Sequence, residues 1–105
     1  MSEEFEVSIV NGRGVVKVTQ NLMSELPAEL LRSAFEDLVE RGQKSVVIDL
    51  TKTVAINSFG LGRLLALQNK LVEAGGDVSI RVSQGYIKEI IRILHLDKVF
   101  KLEEI

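Results

Sequence analysis

The sequence predicts a single α/β domain over residues 1–105, in which an N-terminal β-hairpin leads into a mainly parallel central sheet flanked by helices, in the order β-β-α-β-α-β-α-β. Three observations predict it. Short apolar stretches with a period of two alternate along the chain with longer stretches whose apolar residues recur every three or four positions. The three consecutive strand-helix-strand units call for right-handed crossovers, which lay their strands parallel. One middle segment, Val46-Val47-Ile48, is apolar at successive positions, as a central strand covered by helices on each side would be.

The elements follow in order. Phe5, Val7 and Ile9 alternate with Glu6 and Ser8, and Val15 to Val18 follow Asn11-Gly12-Arg13-Gly14, so a period of two stands on both sides of a turn. Asn-Gly suits the positive φ angles of a tight hairpin turn, and a longer loop using Gly14 is the alternative. From Pro27 the apolar residues Leu30, Leu31, Ala34, Phe35, Leu38 and Val39 are spaced as on one face of a helix, with Glu29, Arg32, Glu36, Asp37 and Glu40 between them. Ser24 or Glu25 opens that helix, Pro27 fits its first turn, and Gly42 supplies a left-handed stop. The strand Ser45 to Leu50 comes next. A second helix follows Ser58, with Leu61, Leu64, Leu65, Leu67, Leu71 and Val72 as its apolar positions and Gly75-Gly76 at its end. Val78, Ile80 and Val82 mark a strand, Tyr86, Ile87, Ile90, Ile91 and Leu94 a third helix, and Val99 to Leu102 a short last strand.

Composition narrows the function. With 13 Lys plus Arg against 15 Asp plus Glu, the net charge of −2 offers no broad basic field, so neither nucleic acid nor an anionic membrane is expected as a partner. The opening Met1 to Glu6 carries three Glu and no apolar run, and no stretch approaches a membrane span; a cytoplasmic location is the expectation. Cys is absent and His95 is the one His, which removes disulfides, thiolate nucleophiles, multi-His metal sites and His-based acid/base pairs. Neither an enzyme nor a metal or cofactor is expected.

In open α/β sheets, ligands and partners are met where loops leave the carboxyl ends of strands. The loop after the central strand runs from Thr51 to Asn57 and then into Ser58-Phe59-Gly60-Leu61-Gly62. Ser58 suits an N-cap, its hydroxyl accepting from an N–H near Gly60 or Leu61, and the plain reading is a cap and nothing more. The functional reading uses the same geometry, because the positive end of a helix tolerates a phosphate. Gly60 and Gly62 weaken a first turn, either to let the helix start pack on the sheet or to keep a smooth surface for a partner. Phe59 either tucks under the sheet edge or stands near solvent as a partner's anchor. Asp49 reads as ordering the loop that follows it, and His95 as structural near a helix C-terminus.

The segment Val46-Val47-Ile48-Asp49-Leu50, then Ile56-Asn57-Ser58-Phe59-Gly60-Leu61-Gly62 with Leu64-Leu65, resembles the signature of the STAS domain, the family of bacterial anti-sigma factor antagonists. Leu94-His95-Leu96-Asp97-Lys98-Val99-Phe100 resembles the family's C-terminal pattern. The resemblance implies an anti-sigma factor antagonist that binds a partner anti-sigma factor, itself a serine kinase, and so frees a sigma factor. It makes Ser58 the phosphoacceptor, whose modification breaks the complex until a serine phosphatase restores it. Asn57, Phe59, Gly60, Leu61 and Gly62 then belong to the partner surface, bordered by the turn Asn21, Met23 and Ser24. Three features depart from the family's usual pattern: neutral Asn57 stands where Asp is common, Phe59 where a small residue is common, and no residues follow Ile105 to form a further C-terminal helix. Two other functions fit the same fold, a scaffold subunit that is never phosphorylated and a small-ligand or nucleotide-binding module.

Overall fold

Five strands and three α-helices follow one another in the expected order in a computed structural model that describes residues 5–105. They are β1 (Glu6–Val10), β2 (Arg13–Lys17), α1 (Glu25–Glu40), β3 (Ser45–Asp49), α2 (Ser58–Glu73), β4 (Asp77–Val82), α3 (Tyr86–Ile93) and β5 (Lys101–Glu104). The strands lie side by side in chain order, with β1 antiparallel to β2 and every other neighbouring pair parallel. The central strand is β3, as its run of apolar residues implies. The acidic opening Met1 to Glu4 lies outside the described residues.

Local chemistry explains the boundaries. Val10 pairs with Arg13 across a two-residue turn in which Asn11 and Gly12 have φ of 52° and 78°, the conformation that matches the twist of a hairpin. Gly14 is therefore not part of the turn. It lies in β2, where an added Cβ would come within 2.8 Å of Leu38 Cδ1, so its lack of a side chain lets α1 sit close on the sheet. At the end of α1 the Gly42 and Gln43 amides donate to Val39 and Leu38, and at the end of α2 the Gly75 and Gly76 amides donate to Val72 and Leu71. Both closures are the paired bonds that a left-handed residue after a helix permits, with Gly42 and Gly75 at φ of 85° and 86°. His95 takes the same left-handed place after α3, at φ 58°, which gives it a backbone role.

The last strand begins later than the sequence pattern predicts. Leu96–Lys98 forms a 3-10 turn, and the Phe100 amide donates to Leu96 O at 2.9 Å. That amide is withdrawn from the sheet, so Val99 and Phe100 precede β5, with Phe100 buried as a plug beneath it and Val99 exposed.

The two faces of the sheet are finished differently. On one, Val16, Val46, Ile48, Val78 and Ile80 join Leu31, Phe35 and Leu38 of α1, Leu64, Leu67 and Leu71 of α2, and Ile87 and Ile91 of α3 in a single apolar core. The other corrects the expectation that helices cover β3 on both sides. Val15, Val47 and Ser79 are buried there yet stand outside that core. Arg13 on β2 reaches across β3 and β4 to an ion pair with Glu103 on β5, which also pairs with Arg81 at 3.2 Å. Val47 is fully buried on that face, where the stems of long charged side chains can lie along apolar surface with their charged ends in water.

Candidate functional site

Two segments meet at the carboxyl ends of β2 and β3. Leu22, after β2, forms an isolated parallel bridge with Ile56, after β3. The Leu22 amide donates to Ala55 O at 3.2 Å, and the Asn57 amide reaches Leu22 O at 3.4 Å. Beneath this junction both apolar side chains are buried, so packing and backbone bonds pull the segments together. Two asparagines complete the joint. Asn21 Oδ1 accepts from the Val54 and Ala55 amides at 3.0 and 3.1 Å, and Asn57 Nδ2 donates to Met23 O at 2.9 Å.

Asn57, rather than Ser58, is the N-cap of α2. Its extended backbone (φ −118°) and its Oδ1, which accepts from the Gly60 amide at 3.2 Å, hold that position. Asn and Ser are comparable caps; the Met23 carbonyl, which only an amide side chain can also bind from there, favours Asn57. Ser58 becomes the first residue of the helix, exposed, with its hydroxyl outside the cap. The positive end of α2 lies directly beneath it.

The two glycines divide the roles that sequence pattern leaves open. A Cβ on Gly60 would lie 2.2 Å from Leu22 O and 2.9 Å from Ile56 Cγ1, so Gly60 exists to let α2 start against the joint. A Cβ on Gly62 would meet nothing within 4 Å; that position is open surface. Leu61 is half-buried and packs on the core. Phe59 does not tuck under the sheet edge: it is 47% exposed, and Met23, Leu26 and Val54 are 49%, 55% and 73% exposed. The sequence pattern does not single out Leu26 and Val54. Their signal is an apolar side chain in a loop or ahead of a helix's apolar stripe. Ser24 is exposed at the start of α1 and caps it through position alone, without a side-chain bond.

The surroundings are already paired. Asp49, buried at the end of β3, accepts from the Thr51 amide and hydroxyl at 2.9 and 2.6 Å and lies 3.8 Å from Arg81, which orders the loop leading to the site. Arg63 on α2 meets Glu29 on α1 at 3.3 Å, and hydrogen bonds from Arg32 hold the Glu29 carboxyl below its ordinary range. A cleft of about 180 Å³ lies between Leu50–Val54 and the Ser83–Ile87 segment after β4, smaller than the few hundred Å³ usual for small-molecule sites. Among the described residues, no group of three or more His, Cys, Asp or Glu side chains is placed to hold a metal, and no helix is long and apolar enough to cross a membrane.

Residues 4–104 match the STAS domain family. The fold is similar to that of the Thermotoga maritima protein TM1081, at TM-score 0.84 and 20% identity over 96% of this chain and 86% of that one. An anti-sigma factor antagonist from Mycobacterium paratuberculosis shares 26% identity at TM-score 0.76, over 94% of this chain and 83% of its own. The anti-sigma factor antagonist SpoIIAA in its unphosphorylated form superposes at TM-score 0.61 with 14% identity, over 87% of this chain and 97% of that one. With the family's match running through the hairpin, the Ser58 loop and the last strand, the chain belongs to the STAS domain family.

Proposed function

We propose that this chain is an anti-sigma factor antagonist that binds a partner anti-sigma factor, itself a serine kinase, through the Ser58 face, and that phosphorylation of Ser58 switches it off. The observation that carries the reading is an exposed Ser58 outside the cap of α2, with Phe59 beside it and Met23, Leu26 and Val54 exposed on or next to the segments tied at this joint. Apolar groups rimmed by satisfied polar ones suit a partner surface. Family membership and likeness to proteins described as anti-sigma factor antagonists support the same direction.

The switch follows from the cap. A phosphate on Ser58 adds a charge of about −1.5 to −2 at the favourable end of α2, and Asn57 goes on capping the helix. The fold survives while the surface changes sign. A partner seated over Phe59 would have to bury that charge without a matching cation, which costs enough to change occupancy by orders of magnitude. A serine phosphatase then resets the surface.

Intact mass after incubation with ATP and an anti-sigma factor serine kinase from the same organism tests the assignment. One phosphate is expected on the wild type and none on Ser58→Ala. No gain in the wild type, or a gain that survives the substitution, removes Ser58 as the switch. A scaffold subunit is favoured instead if Phe59→Ala weakens association while the wild type is never phosphorylated.

A further inference from the structure

We propose that Asn57 is the positioning residue of the partner surface: its carboxamide clasps the cap of α2 to the Met23 carbonyl, so that Phe59 and Met23 form one preassembled patch. The inference rests on the reading of the Ser58 face as a partner surface. Asn57 uses both ends of its amide, Oδ1 accepting from the Gly60 amide at 3.2 Å and Nδ2 donating to Met23 O at 2.9 Å. The backbone contact beside it, Asn57 N to Leu22 O, is longer at 3.4 Å, so the side chain makes the shorter tie between the two segments.

Only one acceptor and one donor on a short planar arm meet this demand. Aspartate at this position caps the helix equally well, but its carboxylate has no donor and sets a charged oxygen against the Met23 carbonyl. Serine caps and stays neutral, yet a single hydroxyl cannot hold Gly60 and also span to Met23. Either change leaves α2 intact and frees the Met23 side of the surface. A partner must then order that segment as it binds, which weakens association.

Asn21 supplies an internal control. It contributes an acceptor only, Oδ1 taking the Val54 and Ala55 amides. A carboxylate can do the same, with charge-assisted bonds. The same chemical change, Asn to Asp, therefore has opposite expected outcomes for the joint: it breaks the tie made by Asn57 and keeps the one made by Asn21.

The test uses Asn57→Asp, Asn57→Ser and Asn21→Asp in the full chain, with the anti-sigma kinase titrated by calorimetry and amide hydrogen exchange followed without partner. Both Asn57 variants are expected to bind about tenfold more weakly, the worth of one net hydrogen bond and the ordering it removes. Their Leu22 amide should exchange faster while the Gly60 amide stays protected and the melting temperature holds. Asn21→Asp, which lies on the same partner face, is read by exchange alone and should keep the Leu22 amide as protected as in the wild type. Unchanged binding and exchange in the Asn57 variants, or an equally fast Leu22 exchange in Asn21→Asp, overturns the clasp. If the wild type itself does not bind the kinase, the partner reading fails, and exchange at Leu22 alone still decides whether the clasp exists.

Discussion

The Ser58 face and the open face of the sheet solve opposite problems. Around Ser58 the backbone polar groups of the joint between two loops are bonded to one another and to Asn21 and Asn57, and the apolar side chains of Phe59, Met23, Leu26 and Val54 are exposed. On the open sheet face Arg13, Arg81 and Glu103 are paired with one another, and the apolar Val15 and Val47 are buried. A surface whose backbone polar groups are already bonded and whose apolar side chains are exposed lowers its free energy when something covers it. The other surface keeps its charged groups paired around a cavity of about 490 Å³ lined by Val10, Arg13, Val15, Lys17, Asp49 and Arg81 among others. Under the proposed function, the difference separates the partner's surface from one whose charges are paired within the chain.

Substitutions at the two places should therefore separate binding from stability. The largest expected effect is on the joint itself. Gly60→Ala drives a methyl against the Leu22 carbonyl at 2.2 Å, which a backbone cannot relieve without moving the start of α2. A loss of about 3 kcal/mol in urea unfolding is expected, at the upper end of overpacking effects, and a stability equal to the wild type's would show that the joint is loose. Next comes Phe59→Ala, which should weaken kinase binding by about tenfold or more, as loss of an aromatic anchor does, with unfolding free energy changed by no more than about 0.5 kcal/mol. A fall in stability without a fall in affinity would make Phe59 a core residue instead.

Smaller effects sharpen the contrast. Gly62 faces open space, so Gly62→Ala should stabilise α2 by up to about 1 kcal/mol through helix propensity alone, opposite in sign to the same change two residues earlier. On the open face, hydrogen bonding from Arg13 holds the Glu103 carboxyl below its ordinary value of 4.5. A depressed carboxyl pKa means that the folded chain prefers the charged form. Its contribution is therefore present above pH 4.5 and disappears as the pH falls through the lower folded value. Glu103→Gln should remove that part of the acid dependence, cost no more than about 1 kcal/mol at neutral pH, and leave kinase affinity unchanged. A change in affinity would mean that the partner also reaches the sheet face.

Much of this architecture is legible from local pattern. The Asn11-Gly12 turn, the glycines after α1 and α2, and the central place of β3 all follow from short-range backbone chemistry. What escapes is set by residues far apart in the chain. The period of Val46-Val47-Ile48 says that both faces of β3 are buried but not by what, and on the face away from the helices the sheet carries an ion pair between positions 13 and 103. Asn57 and Ser58 are neighbouring residues of equal capping ability, and the choice between them is made by the Met23 carbonyl, 34 positions away. The start of β5 depends on the Phe100 amide being taken by a 3-10 turn, which no alternation of apolar residues reports. Ser58 was locatable because the loop after a central strand is where an open sheet meets its partners; its freedom from the cap is a fact of three dimensions.

The most direct measurement is a calorimetric titration of the anti-sigma kinase with the unphosphorylated chain and with the same chain carrying phosphate on Ser58. The unphosphorylated form should bind, and the phosphorylated form should bind at least about a hundredfold more weakly while keeping the same melting temperature to within a few degrees. Equal affinity of the two forms, or loss of binding accompanied by unfolding, would contradict a switch that works by placing charge on an intact apolar surface.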